Sequence, residues 1–190
     1  MFYKERERHK LSFSKPALLV IDVQNYFFDK NSPAYLQGSD RVLANIQELI
    51  NKLRPKNIPI IATIHEGGNH QMYKWWGNVI ESNWAKLMIE DSAFDYIIRK
   101  DTYDAFYNTI LENVLNSLDI DQIIITGVMT HLCCETTARS AFVRGFDVIM
   151  VEDCLWDKDE WYHYASLKNL AHGFSIIASS DEIVECIFKY

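Results

Sequence analysis

The feature that most constrains this chain is a series of short, nearly unbroken apolar runs separated by segments of helical period. Residues 17–23 read Ala-Leu-Leu-Val-Ile-Asp-Val, and residues 58–64 read Ile-Pro-Ile-Ile-Ala-Thr-Ile. Further runs lie at 94–99, 123–126, 146–151 and 174–178. A strand with one wet face alternates apolar and polar residues. Unbroken runs of this length suit strands covered on both faces, as in parallel sheets. Between them, Ser39 and Asp40 can cap a helix carrying Val42, Ile46, Leu49, Ile50 and Leu53, which Pro55 closes. Thr102 or Asp104 can cap a second, with Phe106, Ile110, Val114 and Leu118 in one stripe. Helices are also expected over 132–145, over 159–172, and from Asp181 behind a Ser180 cap, with Gly145 suited to a helix end. Strand–helix alternation of this kind predicts an α/β fold. Its form would be three layers, α/β/α and Rossmann-like, around a six-stranded, mostly parallel sheet. With 190 residues, 48% of them hydrophobic, one domain spanning 1–190 can bury a sizeable core.

Composition narrows the partners. The net charge is −7, and no basic cluster follows the first ten residues, so nucleic acid is not an expected partner. The alternating Lys-Glu-Arg-Glu-Arg-His-Lys run belongs to an N-terminal arm, 1–15, that reads as solvated or as an oligomer contact. No run is long enough for a membrane span or a signal peptide. The four cysteines, Cys133, Cys134, Cys154 and Cys186, have no metal-ligand spacing, and two are adjacent. A reduced, cytoplasmic protein is the expectation.

Chemistry concentrates where the strands end. In open α/β sheets ligands bind beyond the carboxyl ends of the strands. Asp22, His65, Lys100 and Cys133 fall at four such ends. Gly127 and Thr130 break the chain between the run at 123–126 and the following helix, which sets Cys133 near that helix's start. There, unpaired N–H groups favour a thiolate, so its pKa is expected below that of a free cysteine. Taken locally, Cys133 reads equally well as a small buried hydrophobe. Residues 65–92 form a long stretch with Trp75, Trp76 and Trp84, expected to be irregular and to act as a lid or pocket wall. The tryptophans suit a pocket for a small apolar or planar substrate and suit an oligomer interface equally.

Three motifs bear a resemblance. They are Leu-Leu-Val-Ile-Asp-Val-Gln-Asn at 18–25, Arg-Lys-Asp-Thr-Tyr-Asp-Ala-Phe at 99–106, and Gly-Val-Met-Thr-His-Leu-Cys-Cys-Glu-Thr-Thr-Ala-Arg-Ser-Ala at 127–141. Over 16–187 the chain resembles the isochorismatase-like superfamily. The likeness is to its cysteine hydrolase branch of nicotinamidases, N-carbamoylsarcosine amidases and ureidoacrylate amidohydrolases. The resemblance implies a catalytic triad of Asp22, Lys100 and Cys133. It also implies a cis peptide between Val128 and Met129 that turns the Met129 N–H toward the substrate oxygen. Gln24, His65, Trp75, Trp76, Thr130 and His131 are the candidate pocket residues. The implied reaction is hydrolysis of a C–N bond in a small amide or an N-carbamoyl or ureido compound. It would run through a thioester, in a homo-oligomer (dimer or tetramer), without a cofactor. The Asp-x-His metal motif of nicotinamidases is not matched, because His65 stands where its Asp would fall, so no metal is expected. His65, His70 and Glu66 form the residual candidate ligand set. The loop around Met72, Tyr73, Lys74, Trp75, Trp76 and Gly77 is more like that of carbamoyl and ureido hydrolases. Two other readings stay open: a nicotinamidase-type amidase, and a non-hydrolytic scaffold or thiol redox sensor using Cys133 and Cys134.

Overall fold

The apolar runs form strands because β-branched and aliphatic side chains pack on a pleated surface from both sides. In the computed structural model, which describes residues 3–189, six of them pair in the order β3-β2-β1-β4-β5-β6. The strands are β1 (Pro16–Ile21), β2 (Ile60–His65), β3 (Tyr96–Lys100), β4 (Gln122–Val128), β5 (Asp147–Trp156) and β6 (Ile176–Ala178). Every neighbouring pair is parallel. Register is set at the centre by Leu18 opposite Ile124 and Leu18 opposite Ile60.

Alternate residues of each strand feed two separate cores. Leu18 and Val20 join Ile46, Leu49, Leu53 and Ile183 on one face. These come from α3 (Ser39–Leu53) and α8 (Ser180–Phe188), and a short α2 (Asn25–Phe28) precedes α3. Leu19 and Ile21 join Leu111, Leu115, Ala138 and Leu167 on the other. These belong to α5 (Leu111–Ser117), α6 (Glu135–Val143) and α7 (Glu160–Gly173). The result is the three-layer α/β/α arrangement. Among the described residues no helix is long and apolar enough to cross a membrane.

Four local expectations need correction. The helix expected to start at Thr102 or Asp104 begins only at Leu111, and residues 101–110 form turns. Asp104 caps locally, accepting from the Phe106 N–H at 2.9 Å, and Ile110 is 60% exposed, outside any packed stripe. The last helix is capped by Ser179 rather than Ser180, in a reciprocal box with Glu182. The segment 65–92 is not irregular. It holds α4 (His70–Trp76), is pinned by antiparallel bridges Gly67–Ile80 and Gln24–Leu87, and packs Ile80 and Leu87 into the core. The N-terminal arm folds back onto its own chain, its residues 1 and 2 lying outside the described range, as does the end of the expected domain at Tyr190. Its helix α1 (Tyr3–Arg6) contacts α7, and Arg6 pairs with Glu152 at 2.9 Å and also with Glu182.

Candidate active site

The sheet order reverses between β1 and β4, and the chain leaves both strands toward the same end. A crevice between two diverging connections is the site such sheets offer a ligand. Asp22 follows β1 directly and sits in the left-handed region, φ 51°, a conformation an aspartate tolerates better than most residues. Thr63 on the adjacent β2 holds it there. The Thr63 hydroxyl donates to Asp22 Oδ1 at 2.5 Å and accepts from the Asp22 N–H at 3.1 Å. Lys100 ends β3, and its side chain is wholly buried beside that carboxylate.

Cys133 is delivered by a different device. Gly127, φ +110°, lies so close to β1 that a Cβ there would overlap the Ile21 carbonyl oxygen. The Val128–Met129 peptide is cis. A π-helical turn, Thr130–Cys134, then leads into α6. Single π turns recur at functional sites. Asp157 anchors this one, its Oδ2 accepting from the His131 N–H at 2.8 Å and bonding the His131 ring at 2.7 Å. Thr130 Oγ1 bonds His163 Nδ1 at 2.9 Å.

Three side chains meet. Lys100 Nζ lies 2.7 Å from Asp22 Oδ2 and 3.4 Å from Cys133 Sγ, and donates to the Thr102 carbonyl at 3.0 Å. Burial opposes the ammonium's charge, but Asp22 and Cys133 outweigh it and hold the Lys100 pKa above its ordinary value. For Cys133, burial pushes the thiol up, and Lys100 offsets that only in part while Asp22 adds to it. The expected low-pKa thiolate is therefore corrected. Cys133 sits inside the π turn, 4% exposed, and desolvation dominates the helix-terminus effect. Burial and the neighbouring Asp22 carboxylate thus favour the thiol over the thiolate. Cys134, one residue on, is fully buried in the core.

Cys133 opens into a cavity of about 140 Å³, which His65 and Trp76 also line. The other pocket candidates do not line it. Gln24 is turned to β2 and the wall segment, accepting from the His65 N–H at 2.7 Å and donating to the carbonyls of His65 and Trp84. Trp75 points outward, 80% exposed, because one step along α4 rotates it about 100° from Trp76. Thr130 and His131 are engaged by His163 and Asp157. Tyr26, Phe27, Tyr103 and Met129 complete part of the wall; Tyr103 accepts from the Trp76 indole N–H at 2.7 Å. Thr63, Asp157 and His163 escaped the sequence reading, which had no signal linking them to Asp22 or the π turn.

A ring nitrogen of His65, an Asp22 oxygen and Cys133 Sγ lie within 4.8 Å of one another and could hold a metal ion. Lys100 already places positive charge against two of these groups. The set of His65, His70 and Glu66 does not form among the described residues. Glu66 pairs with Arg99, and His70 is exposed at the start of α4.

Known proteins resemble this chain in sequence and fold. The Isochorismatase domain family matches residues 16–182. The chain is 33% identical to Nicotinamidase 3 of Arabidopsis thaliana over 192 residues, covering 95% of this chain and 92% of that protein. It is 25% identical to N-carbamoylsarcosine amidase of Arthrobacter sp, covering 90% and 71%. A cysteine hydrolase from Pseudomonas syringae pv. phaseolicola has the same fold, with TM-score 0.87 at 23% identity over 95% of this chain and 96% of that one. On the family match and the 33% relative, this chain belongs to the isochorismatase family of hydrolases.

Proposed function

We propose that the chain is a cysteine-dependent amidohydrolase that cleaves a C–N bond of a small amide, N-carbamoyl or ureido compound through a thioester. The observation that carries this reading is the buried contact of Lys100 with both Asp22 and Cys133, where Cys133 lines a cavity. An amide carbonyl is a poor electrophile and needs a nucleophile, a proton donor for its nitrogen and a place for the developing oxyanion. As Cys133 Sγ bonds the carbonyl carbon, its proton passes to Asp22. Until that transfer Lys100 balances the buried Asp22 carboxylate, and afterwards its charge stays close to the developing oxyanion. N–H groups of Met129 and Cys133 are the proposed oxyanion donors. Asp22 returns the proton to the nitrogen, the C–N bond breaks, and the amine leaves. Asp22 next takes a proton from water as that water attacks the thioester, and the thiol reforms with release of the acid.

A nicotinamidase-type amidase is a second form of the same reading, favoured by the 33% identity to Nicotinamidase 3. A redox pair of Cys133 and Cys134 has no support from their placement, one in the cavity wall and the other in the core. The test is ammonia release from a panel of small amides and N-carbamoyl compounds, with mass spectrometry of the protein quenched during turnover. An acyl adduct on Cys133 is expected. Asp22→Asn is expected to slow turnover by about 10²–10⁴-fold, the usual contribution of a proton-transfer group. Full activity in Cys133→Ser would end the proposal.

A further inference from the structure

We propose that the chain carries a second small-molecule site, at the amino ends of β4, β5 and β6, and that its ligand is a nucleoside monophosphate. The site lies at the opposite end of the sheet from Cys133 and stands apart from the amidohydrolase reading.

The pocket is built from parts of the chain far apart in sequence. Gln122 and Asp147, the first residues of β4 and β5, are register partners. The N-terminal arm is tied to this end of the sheet. Gln122 Nε2 donates to the Ser12 carbonyl at 2.9 Å, and Arg8 Nη1 donates to the His172 carbonyl, near the end of α7, at 2.9 Å. Arm, strand ends and the turn from α7 to β6 surround about 490 Å³. Small-molecule sites commonly hold about 300–1,000 Å³.

Three demands define the ligand. The first is negative charge. Arg8, His9 and Lys10 line the pocket in succession and His172 joins them, in a chain whose net charge is −7. The side chains of His9, Lys10 and His172 have no partner among the described residues, and Arg8 spends only Nη1. Arginine and lysine side by side suit a phosphate, the arginine through its planar fork. The second demand is a hydrogen-bond donor. Gln122 is 3% exposed and lines the pocket. Its Nε2 faces a carbonyl, which fixes the other amide atom as the oxygen, and that Oε1 has no partner among the described residues. Ser175 Oγ, in the same lining, is also buried and unpartnered. A buried acceptor without a donor is costly, and a ligand N–H relieves it. The third is a flat ring. Phe142 lines the pocket 48% exposed and is held edge-to-face by Phe174, centroids 5.3 Å apart, so it offers a base a stacking surface. Asp147 is the one acid of the lining among the described residues, and its carboxylate suits sugar hydroxyls. Inorganic phosphate meets only the first demand and a nucleoside only the other two. A nucleoside monophosphate with an amino-bearing base meets all three.

The experiment is calorimetric titration of the full chain with adenosine and guanosine 5′-monophosphates, beside purine riboside 5′-monophosphate, adenosine and inorganic phosphate. At least one of the two amino-bearing nucleotides is expected to bind at millimolar concentration or below and to protect Lys10 from acetylation, read by peptide mass spectrometry. Loss of the amine, in purine riboside 5′-monophosphate, should weaken binding by about tenfold, one hydrogen bond to a buried acceptor. Adenosine and inorganic phosphate should each be weaker by at least about tenfold. Lys10→Glu changes an exposed side chain, so its melting temperature should match the parent's. It should cut nucleotide affinity by at least about tenfold, an effect that shrinks in high salt. Gln122→Met removes the acceptor and should bring the amino-bearing and amine-free nucleotides to equal affinity. Because it also releases Ser12, Lys10→Glu carries the test if that variant does not fold. Nucleotide binding unchanged in Lys10→Glu would put the ligand elsewhere and overturn the assignment. Inorganic phosphate bound as tightly as the nucleotides would leave only an anion patch and overturn the ligand class. No heat and no protection of Lys10 with either amino-bearing nucleotide would overturn the proposal outright.

Discussion

At the residue scale, the two adjacent cysteines show how position overrides type. Cys133 faces Asp22 and Lys100, whereas Cys134 packs in the core behind α6. Because burial holds the Cys133 thiol protonated, its reaction with methyl methanethiosulfonate should rise about tenfold per pH unit through neutrality, following the thiolate fraction. A rate already level at pH 7 would show a resting thiolate instead. Cys134→Ser should leave turnover within a few-fold and lower stability by about 1–2 kcal/mol, the ordinary range for a buried polar intrusion. Urea unfolding beside an ammonia assay separates the two effects. The ammonium of Lys100 also bears on metals, since it occupies the electrostatic role a cation would take between Asp22 and Cys133. Ammonia release is therefore expected to survive dialysis against EDTA. Loss of activity that zinc or manganese restores would assign the His65 cluster to a metal.

At the element scale, the connection from β4 to α6 carries Cys133, the proposed nucleophile. The sequence reading placed a plain helix over 132–145, and the structure instead inserts the π turn Thr130–Cys134 before α6. The helical period of the two forms is too similar over five residues for sequence to separate them, and the Asp157 anchor comes from the end of β5. Gly127 is the tightest point of this connection. Alanine there would meet backbone of β1, with Cβ 2.7 Å from the Ile21 nitrogen, at a φ that L residues avoid. Since neither strand can move without breaking the sheet centre, Gly127→Ala should cost more than about 3 kcal/mol, beyond the usual range of single substitutions. The midpoint of urea denaturation checks it. A shift worth less than about 1 kcal/mol would show that β1 and β4 separate easily.

At the scale of the whole molecule, two buried histidines couple folding to pH. His65 lines the cavity with Cys133, and His163 lies on α7 against the π turn. Burial lowers both to about 4, reinforced by Lys100 at His65 and by Arg41 at His163. Above about pH 6.5 neither the folded nor the unfolded chain protonates them, so they add no pH dependence. Between about 6.5 and 4 the unfolded chain takes up the protons and the folded one does not. Stability should then fall with acid by up to about 1.4 kcal/mol per pH unit per histidine. Urea titrations between pH 6.5 and 5, above most carboxylate titrations, should show this slope in the parent. It should shrink by about half in His163→Gln. An unchanged slope in that variant would mean that His163 already protonates in the folded state.

The division between sequence and tertiary structure follows from how far each cause reaches. Unbroken runs of aliphatic and β-branched residues such as 17–21 and 123–126 name buried parallel strands by themselves, because strand preference and two-sided burial are written in consecutive residues. Parallel strands share one carboxyl end, so Asp22, Lys100 and Cys133 at three strand ends already implied a common crevice. What no local pattern contains is the environment of that crevice. The strand order that sets β1 beside β4, the Thr63 hydroxyl on Asp22, the Asp157 anchor and the uncharged wall from α4 all come from segments far apart in the chain. Desolvation sums over every neighbour in space. That is why the thiol of Cys133 rises and His65 stays neutral, where sequence reasoning, seeing only a helix start and a loop histidine, expected the opposite for the cysteine.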